Sequence, residues 1–220
     1  MKVVVIGALG KVARRLLPLL AEDGNDVIGV VRKPEQLDEV RGLGAEALLL
    51  DVENASTEEI AAALGGTDAV VWTAGAGGGS PDRTYAVDRD AAVRSMDAAA
   101  DAGVARYVMV SWIGSVPDHG VPEDSSFFAY ADAKLAADDH LRGTDLDWTI
   151  LGPGSLTEDA ATGRIERVAD GVSPARGEES AVPRADVAQV VVDTLREPLT
   201  VGKFVRFRSG ETPIPDALRG

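Results

Sequence analysis

Residues 3–20 read VVVIGALGKVARRLLPLL, and this stretch decides the fold. Three valines and an isoleucine in a row suit a strand buried on both faces. Gly7 and Gly10 follow at once, and then leucines recur at helical spacing. Strand, glycine turn and helix in that order build a phosphate-binding loop. The glycines allow a tight turn and a close approach of backbone to a pyrophosphate, and the first N–H groups of the helix attract an anion. The spacing is G-x-x-G-x-x-A, with Ala13 where a third glycine often stands, and alanine still permits close helix–strand packing. Gly7, Ala8, Leu9, Gly10, Lys11 and Val12 are the candidate contacts to a dinucleotide, Lys11 through its charge.

Outward from this loop the chain alternates. Apolar runs at 2–6, 26–31, 45–50, 68–73, 105–110 and 147–151 read as parallel strands. Helical spacing marks 10–22, 34–41, 57–64, 84–102 and 126–142. Repeated strand–helix units predict an α/β protein with a Rossmann-like, doubly wound parallel sheet and helices on both faces. No linker divides residues 1–220, so a single domain is expected. After Leu151 the pattern weakens. Residues 152–182, rich in glycine, proline and charge, read as a loop-rich segment on the substrate side, with a short strand pair at 164–168 and 180–183. RADVAQVVVDTLRE reads as a helix with Asp186 near its start, and KFVRFRSG as the last strand.

Ligands of such sheets bind at the carboxyl ends of the strands. The second strand ends in Arg32 and Lys33, where an acid would hold the ribose hydroxyls of NAD. A guanidinium can grip a phosphate in a bidentate fork, so NADP(H) is favoured over NAD(H). Asp51 and Val52, ending the third strand, could meet the adenine edge, or Asp51 could cap the next turn. The small residues Ala74, Gly75 and Ala76 would let a cofactor lie against bare backbone after the fourth.

Composition narrows the field. The formal net charge of −14 argues against nucleic acid or an anionic membrane as partner. It suits a salt-rich cytoplasm, although a high-GC genome gives a similar bias. There is no cysteine, hence no disulfide framework, thiolate metal site or Cys nucleophile. His119 and His140 read as solvated side chains, and no metal site is expected. The chain opens directly on a strand and holds no apolar run near the roughly 18 residues of a membrane span, so a soluble cytoplasmic protein is expected.

GALGKVA, the strand ends VR, DV and TAG, and the later segments VDRDAAVRSMDAAADAGVARYVMVSWIG, YADAK, DWTILGPGSLT, RADVAQVVV and SGETPI carry a resemblance across nearly the whole chain. In order and spacing they resemble the atypical short-chain dehydrogenase/reductases, the NmrA-like and YwnB/YhfK-like NAD(P)-binding proteins related to the NAD-dependent epimerase/dehydratases. The resemblance implies a catalytic set of Ser111, Tyr130 and Lys134, all near the cofactor, with Pro153, Gly154 and Leu156 against the nicotinamide. Residues four apart share a helix face. An ammonium would lower the pKa of a neighbouring phenol, and Tyr130 would then protonate a carbonyl oxygen held by Ser111. Trp112 departs from the family pattern beside Ser111, and Ser115 is an alternative hydroxyl. Trp112, Trp148, Phe127, Phe128 and Tyr85 are candidates for pocket wall or core. The implied function is NADP-dependent hydride transfer on a small carbonyl or quinone-like substrate of unknown identity, by a monomer or homodimer. Alternatives are an NADP(H)-binding redox sensor without turnover, or a small relative of the nucleotide-sugar epimerases and dehydratases.

Overall fold

Burial alternates in its partners along the first strand, and this assigns the two faces of the sheet. The computed structural model describes residues 1–78, 80–169 and 177–220. In β1 (Lys2–Ile6), Val3 and Val5 join one core and Val4 and Ile6 the other. The period of two sends successive side chains to opposite faces, so a strand apolar at every position needs cover on both.

The strands that follow are β2 (Asp26–Val31), β3 (Glu46–Leu49), β4 (Ala69–Trp72), β5 (Arg106–Val110) and β6 (Asp147–Pro153). The shorter elements are β7 (Leu156–Thr157), β8 (Arg164–Arg167) and β9 (Val182–Pro183), and the chain closes with β10 (Lys203–Ser209) and β11 (Thr212–Pro213). The order across the main sheet is β3-β2-β1-β4-β5-β6-β10-β8-β11. From β3 to β10 every pair is parallel; β8 runs antiparallel to β10, and β11, antiparallel to β8, points the same way as the other strands. Strand order reverses between β1 and β4, so a crevice opens at their carboxyl ends.

The helices are α1 (Ala13–Glu22), α2 (Leu37–Gly42), α3 (Thr57–Leu64), α4 (Pro81–Thr84), α5 (Ala92–Asp101), α6 (Phe128–Arg142), α7 (Arg184–Arg196) and α8 (Ile214–Arg219). Residues of α1, α2, α7 and α8 fill one core, and residues of α3, α5 and α6 the other. This is the doubly wound, single-domain Rossmann-like architecture. No helix among the described residues is long and apolar enough to cross a membrane.

Three expectations are corrected. The helix expected from 84 begins at Pro81, where the Ser80 hydroxyl caps the Arg83 N–H, and it passes through a π-helical stretch, Tyr85–Ala91, before α5. Segments 164–168 and 180–183 do not pair with each other. The open edge of β10 takes β8, while Val182 pairs with Leu156, and Pro183 has no N–H to offer a ladder. KFVRFRSG is not the last strand, because β11 and α8 follow it. Residues 170–176 of the expected loop-rich segment lie outside the described residues.

Candidate functional site

Gly7 has a φ of +87°, a conformation that costs a side chain. A Cβ there would also stand 2.5 Å from the Ala74 Cα, so the glycine lets the turn after β1 lie against the turn after β4. The Gly10 N–H closes the loop on the Gly7 carbonyl at 2.9 Å. No side chain among the described residues caps the start of α1; the Arg14 and Arg15 N–H groups donate to the Gly10 and Val12 carbonyls, so an anion would meet the N–H groups ahead of Arg14.

A cavity of about 250 Å³ opens here, lined by Gly7, Ala8, Leu9, Gly10, Arg32, Asp51, Val52, Ala74, Gly75 and Ala76. The sequence-predicted residues thus converge on one crevice. Three others stand apart. Val12 is buried at the start of α1. Lys33 is exposed. Lys11 is 73% exposed and leans toward Glu158 at 3.8 Å. Asp51 does cap the turn, accepting from the Glu53 N–H and the Asn54 amide, while also lining the cavity. The Glu53 carboxylate sits between two guanidiniums of the cavity wall, Arg32 at 3.5 Å and Arg83 at 3.4 Å.

A larger cavity of about 790 Å³ lies over the ends of β5 and β6. Ser111, Tyr130, Pro153, Gly154 and Leu156 line it, as do Trp112, His119, Phe127 and Arg206. A Cβ at Gly154 would collide with the Ser180 carbonyl, so packing alone demands that glycine. The rings form a wall, with Phe127 5.1 Å from Trp112 and 5.0 Å from Tyr130. Arg206 is buried and donates to the Ile113 and Ala169 carbonyls. His119 belongs to this wall and His140 pairs with Asp97 at 2.7 Å, so neither is simply solvated as expected. Trp148 and Phe128 are half-buried, as is Tyr85, beneath the Arg89 guanidinium.

Beneath the cavity the face of α6 carries Tyr130, Lys134 and Asp138, each one turn from the next. Lys134 is buried, and its ammonium donates to the Val110 carbonyl at 3.0 Å and reaches the Met109 sulfur at 3.4 Å. Two buried carboxylates flank this region. Asp88, from the π-helical stretch, accepts from the Ala76 N–H at 2.9 Å and so fixes the loop after β4. Asp138 accepts from both Ser111 and Ser115, at 2.5 and 2.6 Å. Burial pushes both carboxyls above the usual range, while the charge of Lys134 opposes this. The same surroundings act on the phenol. Burial, with the charges of Asp88 and Asp138, holds Tyr130 above its usual value. This reverses the expected lowering, because burial above all, and then the two carboxylates, disfavour the phenolate.

Asp88, Asp138, Arg83, Glu53 and Arg206 were not among the sequence-predicted residues. Only Asp138 left a local sign, standing four residues beyond Lys134. Among the described residues no cluster of His, Asp or Glu is placed to hold a metal ion.

A glycine loop, an uncapped helix start and a crevice of small residues fit a dinucleotide. Residues 7–198 match the family model described as NAD(P)H-binding. The chain belongs to the NAD(P)H-binding family. It is 38% identical to an uncharacterised sugar epimerase, YhfK, of Bacillus subtilis, over 100% of this chain and 99% of that protein. Among solved structures it is similar to a Bacillus halodurans protein named as an NAD-dependent epimerase/dehydratase, with a TM-score of 0.89, 32% identity and coverage of 100% and 99%. It is also similar to ChuY of Escherichia coli O157:H7, an anaerobillin reductase, with a TM-score of 0.75, 26% identity and coverage of 96% and 98%. The family is of oxidoreductase and epimerase type, and a nicotinamide dinucleotide is its cofactor.

Proposed function

We propose that the chain is an NADP-dependent oxidoreductase that moves hydride to or from a small carbonyl or quinone-like substrate. The observation that carries this reading is the meeting of Ser111 and Tyr130 in one cavity of about 790 Å³ beside Pro153 and Gly154. When bound, the dinucleotide supplies or takes up hydride. The loop Gly7–Gly10 and the start of α1 would hold its pyrophosphate, and Arg32 the extra phosphate of NADP. Tyr130, kept protonated by its surroundings, is a hydrogen-bond donor across neutral pH and gives its proton as charge develops on the substrate oxygen. The reductase activity named for ChuY supports reduction. In this reading the chain works in the cytoplasm on a small molecule, as a monomer or homodimer, without nucleic acid or membrane as partner.

The names of the Bacillus relatives favour a second reading, epimerisation or dehydration of a nucleotide sugar. The residues after Leu151 weigh against it, since β8, β10 and β11 extend the main sheet instead of building a second domain.

The test is a titration with NADPH and NADH, followed by nicotinamide fluorescence, for the wild type and Arg32→Glu. The substitution is expected to weaken NADPH about tenfold or more, the scale of one charge-assisted contact, and to leave NADH nearly unchanged. A screen of carbonyls and quinones then compares wild type with Tyr130→Phe, expected to lose about 10²–10⁴-fold in turnover with NADPH affinity kept. Turnover unaffected by Tyr130→Phe would remove the phenol from the chemistry.

A further inference from the structure

Ser111 and Ser115 approach α6 from the loop after β5 and donate to the same oxygen, Oδ2 of Asp138, at 2.5 and 2.6 Å. Asp138 is wholly buried, and its Oδ1 has no hydrogen-bond partner among the described residues. Of the two serines only Ser111 also lines the substrate cavity. A buried carboxylate with one bare oxygen is costly if it only holds two hydroxyls, because an unmet charged acceptor forfeits its hydration. The arrangement suits a group that changes its proton count. With Asp138 ionised, Ser111 points its proton inward and offers lone pairs to the cavity. With Asp138 neutral and donating to Ser111, the Ser111 proton points outward.

We propose that Asp138 is the proton reservoir of the substrate cavity, exchanging one proton with bound substrate through the Ser111 hydroxyl. This rests on the oxidoreductase reading and moves the source of the one proton from Tyr130 to Asp138, the phenol then holding the same substrate oxygen by a hydrogen bond. In oxidation, Ser111 accepts the hydroxyl proton of an alcohol and passes its own proton to Asp138 as hydride leaves the substrate carbon. The alcohol loses two electrons and two hydrogens and becomes a carbonyl. The oxidised nicotinamide takes the hydride, and Asp138 ends as the neutral acid. Reduction runs the same transfers backward and leaves Asp138 as the carboxylate. Ser115 donates to Oδ2 in the ionised form and positions the carboxyl.

The charges around Asp138 suit both forms. Lys134 and Arg142 from α6 and the two serine hydroxyls favour the carboxylate, and burial, the largest influence, favours the acid. Asp88 faces the same ammonium from the π-helical stretch. Tyr130 feels the charge of both carboxylates. His140, further along α6, is paired with Asp97.

The test has two arms. Infrared difference spectra of the protein without cofactor, taken through a pH titration in an Asp88→Asn background, are expected to show a buried carboxyl band from Asp138 that titrates above the usual carboxylate range. The band should vanish when Asp138→Asn is added, persist with Asp138→Glu and shift with Ser111→Ala. In the second arm, oxidation of bound NADPH by menadione is followed against pH. Asp138→Asn is expected to lose about 10²-fold or more in rate and to lose the pH dependence that Asp138→Glu retains, with NADPH affinity kept. A merely structural Asp138 would lower the melting temperature and leave the shape of the pH profile unchanged. A band unaltered in Asp138→Asn, or an unchanged pH profile, overturns the proposal. A wild type that binds NADPH but reduces no acceptor sinks the oxidoreductase reading, and the infrared arm alone then decides on Asp138. If Asp138→Asn does not fold, Asp138→Glu and Ser111→Ala carry both arms.

Discussion

Asp88 ties a proton to the stability of the fold. Its carboxyl is held above the usual value of 3.8, chiefly by burial. Between that value and the raised one, the folded chain keeps a proton that the unfolded chain has released. Stability therefore falls as pH rises through this window, by at most about 1.4 kcal/mol per pH unit for one group. Asp138 acts in the same direction. Asp88→Asn should flatten the slope of urea midpoint against pH, and an unaltered slope would mean that Asp88 ionises freely in the fold. Gly7→Ala is the second prediction at this scale. A methyl group would force both a strained φ and a shift of the turn at Ala74. The expected loss is about 1–3 kcal/mol in the urea midpoint, with NADPH affinity reduced as well. Gly7 was legible from the sequence as a loop glycine, but its contact with Ala74 joins residues 67 positions apart, and only the fold brings them together.

Helix α3 is the element whose bounds the sequence states most plainly, and Ser56 explains why. Its hydroxyl accepts from the Glu59 N–H at 3.2 Å, while the Glu59 carboxylate returns to the Ser56 N–H at 2.8 Å. This capping box is local, so 57–64 could be read without knowing the fold. Ser56→Ala should cost about 1 kcal/mol in thermal or urea unfolding and leave cofactor binding unchanged. The helix after β4 shows the contrary case. Its π-helical stretch carries the buried Asp88, and nothing in TYAVDRDAA marks a wider turn. The spacing of Tyr130, Lys134 and Asp138 was legible. That Asp138 receives two serines depends on the loop after β5, and the burial of Arg206 depends on the loop ends at Ile113 and Ala169. Such sites are made by approach between distant segments, which periodicity does not encode.

At the scale of the molecule, the strand runs and the doubly wound parallel sheet follow from the β/α alternation, whereas the order of the strands comes from the fold. The strand at 164–168 was also legible, but its antiparallel place beside β10 was not, and β11 is too short to carry a pattern. The surface is governed by a net charge of −14. Raising salt from about 0.1 to 1 M shortens the screening length from about 10 to about 3 Å and should relieve this self-repulsion. The midpoint of thermal unfolding is expected to rise across that range, since exposed ion pairs such as Arg15 with Glu158 contribute little that salt could remove. A falling midpoint would mean that attraction dominates the surface. The two ends of the sheet bear on a different property, resistance to fibre growth. At one end stands β3, four residues long and led by the exposed Glu46. At the other stands β11, two residues long and ending in Pro213. Open edges recruit further strands through their unpaired N–H and C=O groups. Here one edge is short and charged at its start, and the other gives an incoming chain almost nothing to pair with. A wide parallel sheet of this kind can stay dispersed at high concentration because its margins end the ladder.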